Sequence, residues 1–147
     1  MILRILFYFK FIINDILAPI KTYLKYPNVY LHGKVRINDN SKIGKGVRIF
    51  DRTIIGNSII GDYSYIGGSS RIDHADIGKF CSIAPEVNIG LGIHPHNLVS
   101  TYPGFYSKRN SGIKKFTKTP DHIEYKDVII KNDVWIGNRA IILDGVK

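Results

Sequence analysis

Aliphatic residues recur at every sixth position through most of this chain of 147 residues. Two steps, from Ile55 to Ile60 and from Ile72 to Ile77, are one residue short. The members of the series are Leu31, Ile37, Ile43, Ile49, Ile55, Ile60, Ile66, Ile72, Ile77, Ile83, Ile89, Ile130, Ile136 and Ile142. A repeat this regular constrains the fold more than any single motif does, because every repeat must form the same small unit of structure.

A second series, two residues before each aliphatic position, contains almost only small or β-branched residues. Its members are Val29, Val35, Ser41, Val47, Thr53, Ser58, Ser64, Ser70, Ala75, Cys81, Val87, Val128, Val134 and Ala140. Both series shift together at the two short steps, so each short step is one deletion in a common pattern. Two registers that agree in this way indicate a true structural repeat.

A period of six fits neither an α-helix nor a long flat strand. It fits short strands joined by turns, with the aliphatic residue inside and the small residue where two sides meet. The sequence therefore predicts an all-β fold, a parallel β-helix solenoid stabilised by contacts between neighbouring coils. A β-sandwich is disfavoured because its strands recur every ~8–12 residues. We expect glycine, Asn and Asp to supply the positive φ of the corners.

The first 27 residues differ from the repeat. Apolar residues there have the i, i+3, i+4 spacing of an amphipathic helix, but Arg4, Lys10 and Asp15 interrupt them. These polar residues argue against a transmembrane helix and against a cleaved signal peptide. We expect residues 1–27 to form an amphipathic helix and residues 28–147 to form the β-helix domain. The helix either packs over the end of the solenoid or lies on a membrane surface through residues 1–26.

The formal net charge is +9, which favours anionic partners such as acidic glycans, anionic lipid or a phosphorylated cofactor. No nucleic-acid-binding motif accompanies the charge, so nucleic acid is not expected. The single cysteine, Cys81, excludes an internal disulfide and lies at a small-residue position of the repeat, which indicates packing.

The repeat breaks near residue 92. The next aliphatic position would be residue 95, but it is Pro95, which has no N–H for strand pairing. The pattern returns at about Val128, so residues 92–127 form a long loop, here called the excursion. Long loops on rigid scaffolds commonly carry function. The excursion contains aromatic residues suited to sugar rings and cations suited to phosphates or acidic sugars.

Four stretches carry a resemblance to a known family: IGKFCSIAPEVNIG (77–90), the pair His94–Pro95, STYPGFY (100–106) and NDVWIGNRAIILDGV (132–146). They resemble the hexapeptide-repeat acyltransferases, in the branch of galactoside, xenobiotic and capsular-polysaccharide O-acetyltransferases. The resemblance covers residues 29–147. It implies a left-handed β-helix, a homotrimer with active sites between subunits, and acetyl-CoA as co-substrate with no metal. It also implies a sugar or glycan acceptor and a cytoplasmic protein, peripheral to the inner face of the membrane if the helix binds there.

The same resemblance assigns roles to residues. It makes His94 the catalytic base and places Trp135 and Asn138 on the cofactor side. Imidazole suits the role, because it exchanges a proton near neutral pH and could take the hydroxyl proton as the oxygen attacks the thioester. We expect the acceptor to contact the excursion through His96, Tyr102, Phe105 and Tyr106. His96 as the base is the alternative assignment.

Other interpretations stay open at this stage. A zinc site of His74, His94 and His96 is conceivable on such a solenoid, although the surrounding sequence does not favour it. N-acetylation of an amino sugar needs the same base as O-acetylation. The chain ends partway through the repeat, so we expect C-terminal coils to be missing, and a truncated non-catalytic scaffold is a further alternative. His74 and His122 are expected to be solvent-facing side chains.

Overall fold

The computed structural model describes residues 20, 22–109, 112–118 and 122–147. Most of the predicted helix over residues 1–27 lies outside the described residues. Within them, residue 20 and residues 22–25 are helical. None of the helical segments within this part of the chain has the length and apolarity that crossing a membrane requires.

The described part of the chain forms short strands of two or three residues, each containing one member of the aliphatic series. The strands are β1 (Tyr30–Leu31), β2 (Arg36–Ile37), β3 (Lys42–Ile43), β4 (Arg48–Ile49), β5 (Ile54–Gly56), β6 (Ile59–Ile60), β7 (Tyr65–Ile66), β8 (Arg71–Asp73), β9 (Ala75–Ile77), β10 (Ser82–Ile83), β11 (Asn88–Ile89), β12 (Val128–Ile130), β13 (Trp135–Ile136) and β14 (Ile141–Ile142). A 3₁₀ helix, Pro103–Phe105, lies in the excursion.

Each strand pairs in parallel with the strand three positions along the chain, which produces three sheets. Face 1 is β1-β4-β7-β10-β13, face 2 is β2-β5-β8-β11-β14, and face 3 is β3-β6-β9-β12. The aliphatic residues pair with one another in register: Ile83 lies beside Ile66 on one side and Ile136 on the other. The predicted parallel β-helix solenoid of hexapeptide repeats is therefore confirmed.

The aliphatic series forms the core. Between Ile49 and Ile89 every member is at most 1% exposed. Leu31, Ile37, Ile43 and Ile142, at the two ends of the series, are only partly buried. The outward neighbour of each inward residue is exposed or half-buried, as at Ile54 beside Ile55. Burial of a column of isoleucines supplies the main stabilisation of such a solenoid.

The small residues of the second series bond one coil to the next. The Ser64 hydroxyl accepts a hydrogen bond from the Cys81 N–H at 2.9 Å and donates one to the Gly78 carbonyl at 2.9 Å. Ser58 makes the same type of pair with Ala75 and Gly56. A serine here therefore satisfies backbone groups that would otherwise be buried without partners.

The corners differ from the expectation. Positive φ is adopted by several large or charged residues, among them Tyr63 (60°), Phe80 (60°) and Glu86 (61°). Several glycines that follow the aliphatic residues, such as Gly61 and Gly67, serve another purpose, because the next coil lies too close for a side chain. A Cβ at Gly61 would lie 2.5 Å from the carbonyl carbon of Gly78, and one at Gly67 would lie 2.6 Å from that of Ala84.

The excursion connects β11 on face 2 to β12 on face 3, which are consecutive faces, so the loop is inserted at the corner between them and replaces no strand. The coil resumes in register, because the Val128 N–H donates to the His74 carbonyl at 2.8 Å. The start and the end of the loop therefore lie at one corner of the solenoid.

Candidate functional site

The excursion begins with its outgoing and returning segments side by side. The Ile93 N–H donates to the Glu124 carbonyl at 2.8 Å, and the Gly92 N–H donates to the Asp144 carboxylate at 2.9 Å. Gly92 has a φ of 105°, which lets the chain turn away from the coil. His94 therefore starts from a backbone that is fixed against the solenoid.

His94 is exposed, and two oxygens lie close to its Nδ1. The backbone carbonyl of Thr101 is 3.2 Å from Nδ1, and the hydroxyl of Tyr106 is 2.9 Å from it. Among the described residues, Nε2 of His94 makes no hydrogen bond. The ring is thus held at one nitrogen and open at the other, which is the arrangement that a general base requires.

Tyr106 lies beneath His94. Its side chain is buried, and its ring meets the ring of His94 edge to face with centroids 5.8 Å apart. Burial, followed by the nearby charge of Glu124 and by Tyr125, raises the pKa of the Tyr106 phenol. This residue, predicted to contact the acceptor, contacts His94 in the structure.

His122 also contacts Tyr106, with an edge-to-face centroid distance of 5.0 Å. Its Nε2 is 2.9 Å from the Ile93 carbonyl, to which it donates. The expected solvent-facing side chain is therefore partly buried, because its ring packs on Tyr106 and bonds to the outgoing segment of the loop. No spacing signal in the sequence places residue 122 beside residue 106.

Glu124 joins the two halves of the excursion. Its carboxylate accepts hydrogen bonds from the Ser107 hydroxyl at 2.9 Å and from the Lys108 N–H at 2.8 Å. Lys115 adds to the same cluster, because its ammonium group donates to the Ser107 carbonyl at 2.8 Å. Glu124 was not predicted as a site residue; the available signal was that it is the single glutamate of a loop rich in lysine.

His74 packs under the returning segment of the loop. The His74 ring stacks on the Tyr125 ring with centroids 4.2 Å apart. The guanidinium group of Arg109 also lies over the Tyr125 ring, 4.2 Å from its centroid. Nε2 of His74 is buried without a hydrogen-bond partner, since the nearest carboxylate oxygen, from Asp73, is 3.8 Å away. The expected solvent-facing side chain is therefore largely covered by the loop.

Exposed aromatic rings of the excursion contact one another and form a surface. Phe105 stacks on Phe116 with centroids 4.9 Å apart, and Tyr102 meets Phe105 edge to face at 6.4 Å. Lys114 lies 5.4 Å from the centre of the Phe116 ring. We call Tyr102, Phe105 and Phe116 the aromatic ledge. Tyr102 and Phe105 were predicted as acceptor contacts, whereas Phe116 was not singled out.

His96 is exposed and makes none of the hydrogen bonds found in the described part of the excursion. It follows Pro95, which is buried, whereas residues 94 and 96 on either side are exposed. The structure does not bring His96 into contact with His94.

Trp135 and Asn138 lie away from His94 within one chain. Trp135 is 76% exposed on β13 of face 1, whereas His94 follows face 2. Asn138 donates from Nδ2 to the Pro85 carbonyl at 2.6 Å. Pro85 lines a cavity of about 500 Å³ at the edge of face 1. Its other lining residues include Phe50, Tyr65, Gly67, Gly68 and Glu86.

Within the described residues, no group of three His, Cys, Asp or Glu side chains is arranged to hold a metal ion. His74 and His94 have separate environments, one under Tyr125 and the other beside Tyr106.

The chain is similar in sequence to several bacterial proteins. It is 36% identical over 125 residues to the bifunctional protein GlmU of Thermodesulfovibrio yellowstonii, covering 83% of this chain and 26% of that protein. It is 37% identical over 87 residues to a probable macrolide acetyltransferase of Lysinibacillus sphaericus, covering 57% and 44%. It is 32% identical over 124 residues to a chloramphenicol acetyltransferase of Morganella morganii, covering 70% and 58%.

The chain thus spans between 26% and 58% of the length of these relatives. No family model matches it. Among solved structures, it is similar to AntD, an N-acyltransferase from Bacillus cereus in complex with dTDP and 3-hydroxybutyryl-CoA. That likeness has a TM-score of 0.52 and 22% identity, and it covers 85% of this chain and 69% of that one. At this identity the likeness concerns the fold.

Proposed function

We propose that this chain is an acetyl-CoA-dependent O-acetyltransferase that modifies a sugar of a bacterial surface polysaccharide, with His94 as the general base. The observation that carries the proposal is the 3.2 Å contact between Nδ1 of His94 and the Thr101 carbonyl. A carbonyl oxygen only accepts, so this contact can stabilise a proton on Nδ1, and in that tautomer Nε2 is free to accept a proton. The acetyltransferase relatives named above support the reaction class.

The proposed reaction is direct transfer. The acceptor oxygen attacks the thioester carbonyl carbon while Nε2 of His94 takes the hydroxyl proton. The tetrahedral intermediate then collapses, the carbon–sulfur bond breaks, and the imidazolium returns the proton to the leaving thiolate. No acyl-enzyme forms, because the thioester is already activated.

The aromatic ledge is the proposed contact surface for the acceptor. Sugar rings have apolar faces that stack on aromatic side chains, and Tyr102 and Phe105 are each 48% exposed. Lys114, which lies over Phe116, would favour an acidic sugar or its phosphate. His96 is proposed to contact the acceptor from the rim of the loop.

The cofactor is proposed to lie along face 1. Trp135 is exposed on that face, and Asn138 borders the cavity through its bond to Pro85. An extended pantetheine arm has two amides that can pair with backbone groups at the edge of a solenoid. This places the cofactor residues on a different face from His94.

That separation supports the proposed homotrimer. A cofactor on face 1 of one copy would reach a base beyond face 2 only if the two came from adjacent copies. We propose that each site combines Trp135 of one protomer with His94 of another. The membrane contact through residues 1–26 and the cytoplasmic location remain part of the proposal, supported by the free thiol of Cys81 and by the use of acetyl-CoA.

The first test is acetyl-CoA binding to the purified chain by calorimetry, with its mass measured on the same sample by light scattering. Saturable binding to a trimer supports the enzyme, and a folded trimer without binding favours the scaffold alternative. An acceptor screen then compares neutral sugars, amino sugars and chloramphenicol, with thiol release as the readout. Turnover with amino sugars alone would replace O-acetylation by N-acetylation, and turnover with chloramphenicol alone would replace the glycan by a small hydroxylated drug.

A further inference from the structure

Two oxygens compete for one ring nitrogen of His94. Nδ1 lies 2.9 Å from the Tyr106 hydroxyl and 3.2 Å from the Thr101 carbonyl. A neutral imidazole nitrogen either carries a proton or offers a lone pair. The carbonyl can only accept, so it requires a proton on Nδ1. The phenol can donate or accept, and when it donates it requires the lone pair.

The surroundings of Tyr106 decide which way the phenol acts in the unliganded protein. Its side chain is 4% exposed, and its ring meets the rings of both His94 and His122 edge to face. Among the described residues, Nδ1 of His94 is the only hydrogen-bond partner of its hydroxyl. A buried O–H without an acceptor is unfavourable, so the hydroxyl proton is directed at Nδ1. Burial also raises the pKa of this phenol, which keeps the proton in place at neutral pH.

We propose that Tyr106 is a positioning residue that holds unliganded His94 in the tautomer with its proton on Nε2, and that an acceptor hydroxyl reverses this state. The inference rests on the proposed function, since His94 matters only as the base. In the resting tautomer Nε2 already carries a proton and cannot take another. The contact between Tyr106 and His94 therefore keeps the base inactive.

The reversal needs no change in net charge. When the acceptor hydroxyl donates to Nε2, that nitrogen releases its proton to water and Nδ1 gains one from water. The Thr101 carbonyl then accepts from Nδ1, and the phenol oxygen of Tyr106 changes from donor to acceptor. A single water molecule, which lacks the contacts of a bound acceptor, is a weaker trigger. The device would thus protect acetyl-CoA from hydrolysis while the acceptor site is empty.

The tautomer can be observed without turnover. Protein labelled with ¹⁵N-histidine is studied by long-range ¹H–¹⁵N correlation spectra at a pH where the ring is neutral, and His94→Gln identifies the His94 signals. We expect the Nε2–H pattern in the wild-type protein. We expect the Nδ1–H pattern in Tyr106→Phe, because the Thr101 carbonyl is then the remaining partner. Tyr125→Phe removes another hydroxyl from the excursion and should keep the wild-type pattern.

Several outcomes would overturn the inference. They are an Nδ1–H pattern in the wild-type protein, an unchanged pattern in Tyr106→Phe, and the same change in Tyr125→Phe. The signals of the other four histidines report whether each variant is folded. If Tyr106→Phe does not fold, the wild-type spectrum alone decides between the two tautomers.

Acetyl-CoA hydrolysis without acceptor gives the second readout. Tyr106→Phe should release thiol several-fold faster than the wild-type protein with an unchanged KM for acetyl-CoA, whereas a purely structural role would slow it. A slower or unchanged rate contradicts the inference. The tautomers could behave as expected while neither the wild-type protein nor Tyr106→Phe binds acetyl-CoA. In that case the proposed function fails, and the role of Tyr106 in setting the tautomer of His94 stands.

Discussion

The Ser107 hydroxyl donates a hydrogen bond of 2.9 Å to the carboxylate of Glu124, across 17 residues of the excursion. The same carboxylate accepts from the Lys108 N–H at 2.8 Å. Ser107 follows Tyr106, and Glu124 pairs through its own carbonyl with Ile93, the residue before His94. Glu124 therefore connects the segment that contains Ser107 to the segment that contains His94.

Replacing Glu124 should loosen the excursion without unfolding the solenoid. Glu124→Ala leaves the buried Ser107 hydroxyl and the Lys108 N–H without their acceptor, a loss of about 1–3 kcal/mol of local stability. Hydrogen exchange should show faster exchange of the Ile93 and Lys108 amides, with coil amides unchanged. Glu86→Ala removes an exposed ion pair with Arg139 and should have a much smaller effect, because solvent screens such a pair. Equal effects of the two changes would contradict the role given to Glu124.

The two histidines of the excursion should respond differently to substitution. His94→Gln should lower acetyl transfer by about 10²- to 10⁴-fold, because the proton acceptor is lost. Acetyl-CoA affinity, measured by calorimetry, should stay nearly the same, since the cofactor is proposed to lie on face 1. His96→Gln should have a much smaller effect on turnover. Wild-type turnover in both variants would show that neither residue is the base.

Adjacent residues of β5 test the core. Ile55 is 1% exposed and Ile54 is 41% exposed. Ile55→Ala should lower the free energy of unfolding by about 2–5 kcal/mol, because it removes buried methyl groups and leaves a cavity. Ile54→Ala should change it by only about 0.5 kcal/mol. Urea unfolding monitored by circular dichroism measures both values, and similar losses would mean that the register is wrong by one residue.

Two glycines in equivalent repeat positions form a matched pair. A Cβ at Gly67 would lie 2.6 Å from the carbonyl carbon of Ala84, whereas one at Gly137 would meet nothing within 4 Å. Gly67→Ala should therefore destabilise the protein by about 1–3 kcal/mol, because the neighbouring coil must move. Gly137→Ala should be neutral or slightly stabilising. The midpoint of thermal unfolding is measured for both variants. A loss of stability in Gly67→Ala alone indicates close approach of the coils, whereas equal losses would indicate that every repeat needs glycine at this position.

Tyr106 should make the protein less stable at high pH. Burial first, and then Glu124 and Tyr125, raise the pKa of its phenol above the reference value of 10.0. The folded protein then keeps a proton that the unfolded chain has lost, so this contribution is complete below the unfolded pKa and disappears as the pH rises through the folded pKa. The free energy of unfolding should fall more steeply above pH 10 in the wild-type protein than in Tyr106→Phe.

The control for that measurement is Tyr102→Phe, which replaces an exposed tyrosine of the same loop. Its stability should follow the wild-type curve through the alkaline range. If the Tyr106→Phe curve were also parallel to the wild-type curve, the phenol would titrate alike in the folded and unfolded chains. The burial that the structure gives to Tyr106 would then have no energetic consequence.

The repeat was enough to predict the solenoid because each repeat unit packs only against similar neighbouring units. Each inward isoleucine, from Ile49 to Ile89, makes the same contacts as the one before it, so a six-residue spacing is enough to identify the core. The break at Pro95 is also local, since a missing N–H ends strand pairing wherever it occurs. The corners were predicted less well. Tyr63 and Phe80 adopt positive φ, and they stack on each other at 5.6 Å, a contact between coils that a spacing rule does not contain.

The sequence by itself therefore determined the fold, the position of the excursion and the choice of His94 as the candidate base. Only the tertiary structure decided what surrounds that base. The contacts of His94 with Thr101 and Tyr106, of Tyr106 with His122, and of Ser107 with Glu124 join residues 7 to 17 positions apart in an aperiodic loop. The physical reason is that, in a repeat, equivalent residues of adjacent coils contact one another, so the spacing alone identifies the partners. A single loop has no such register, and its partners are set by how the chain folds back on the coil.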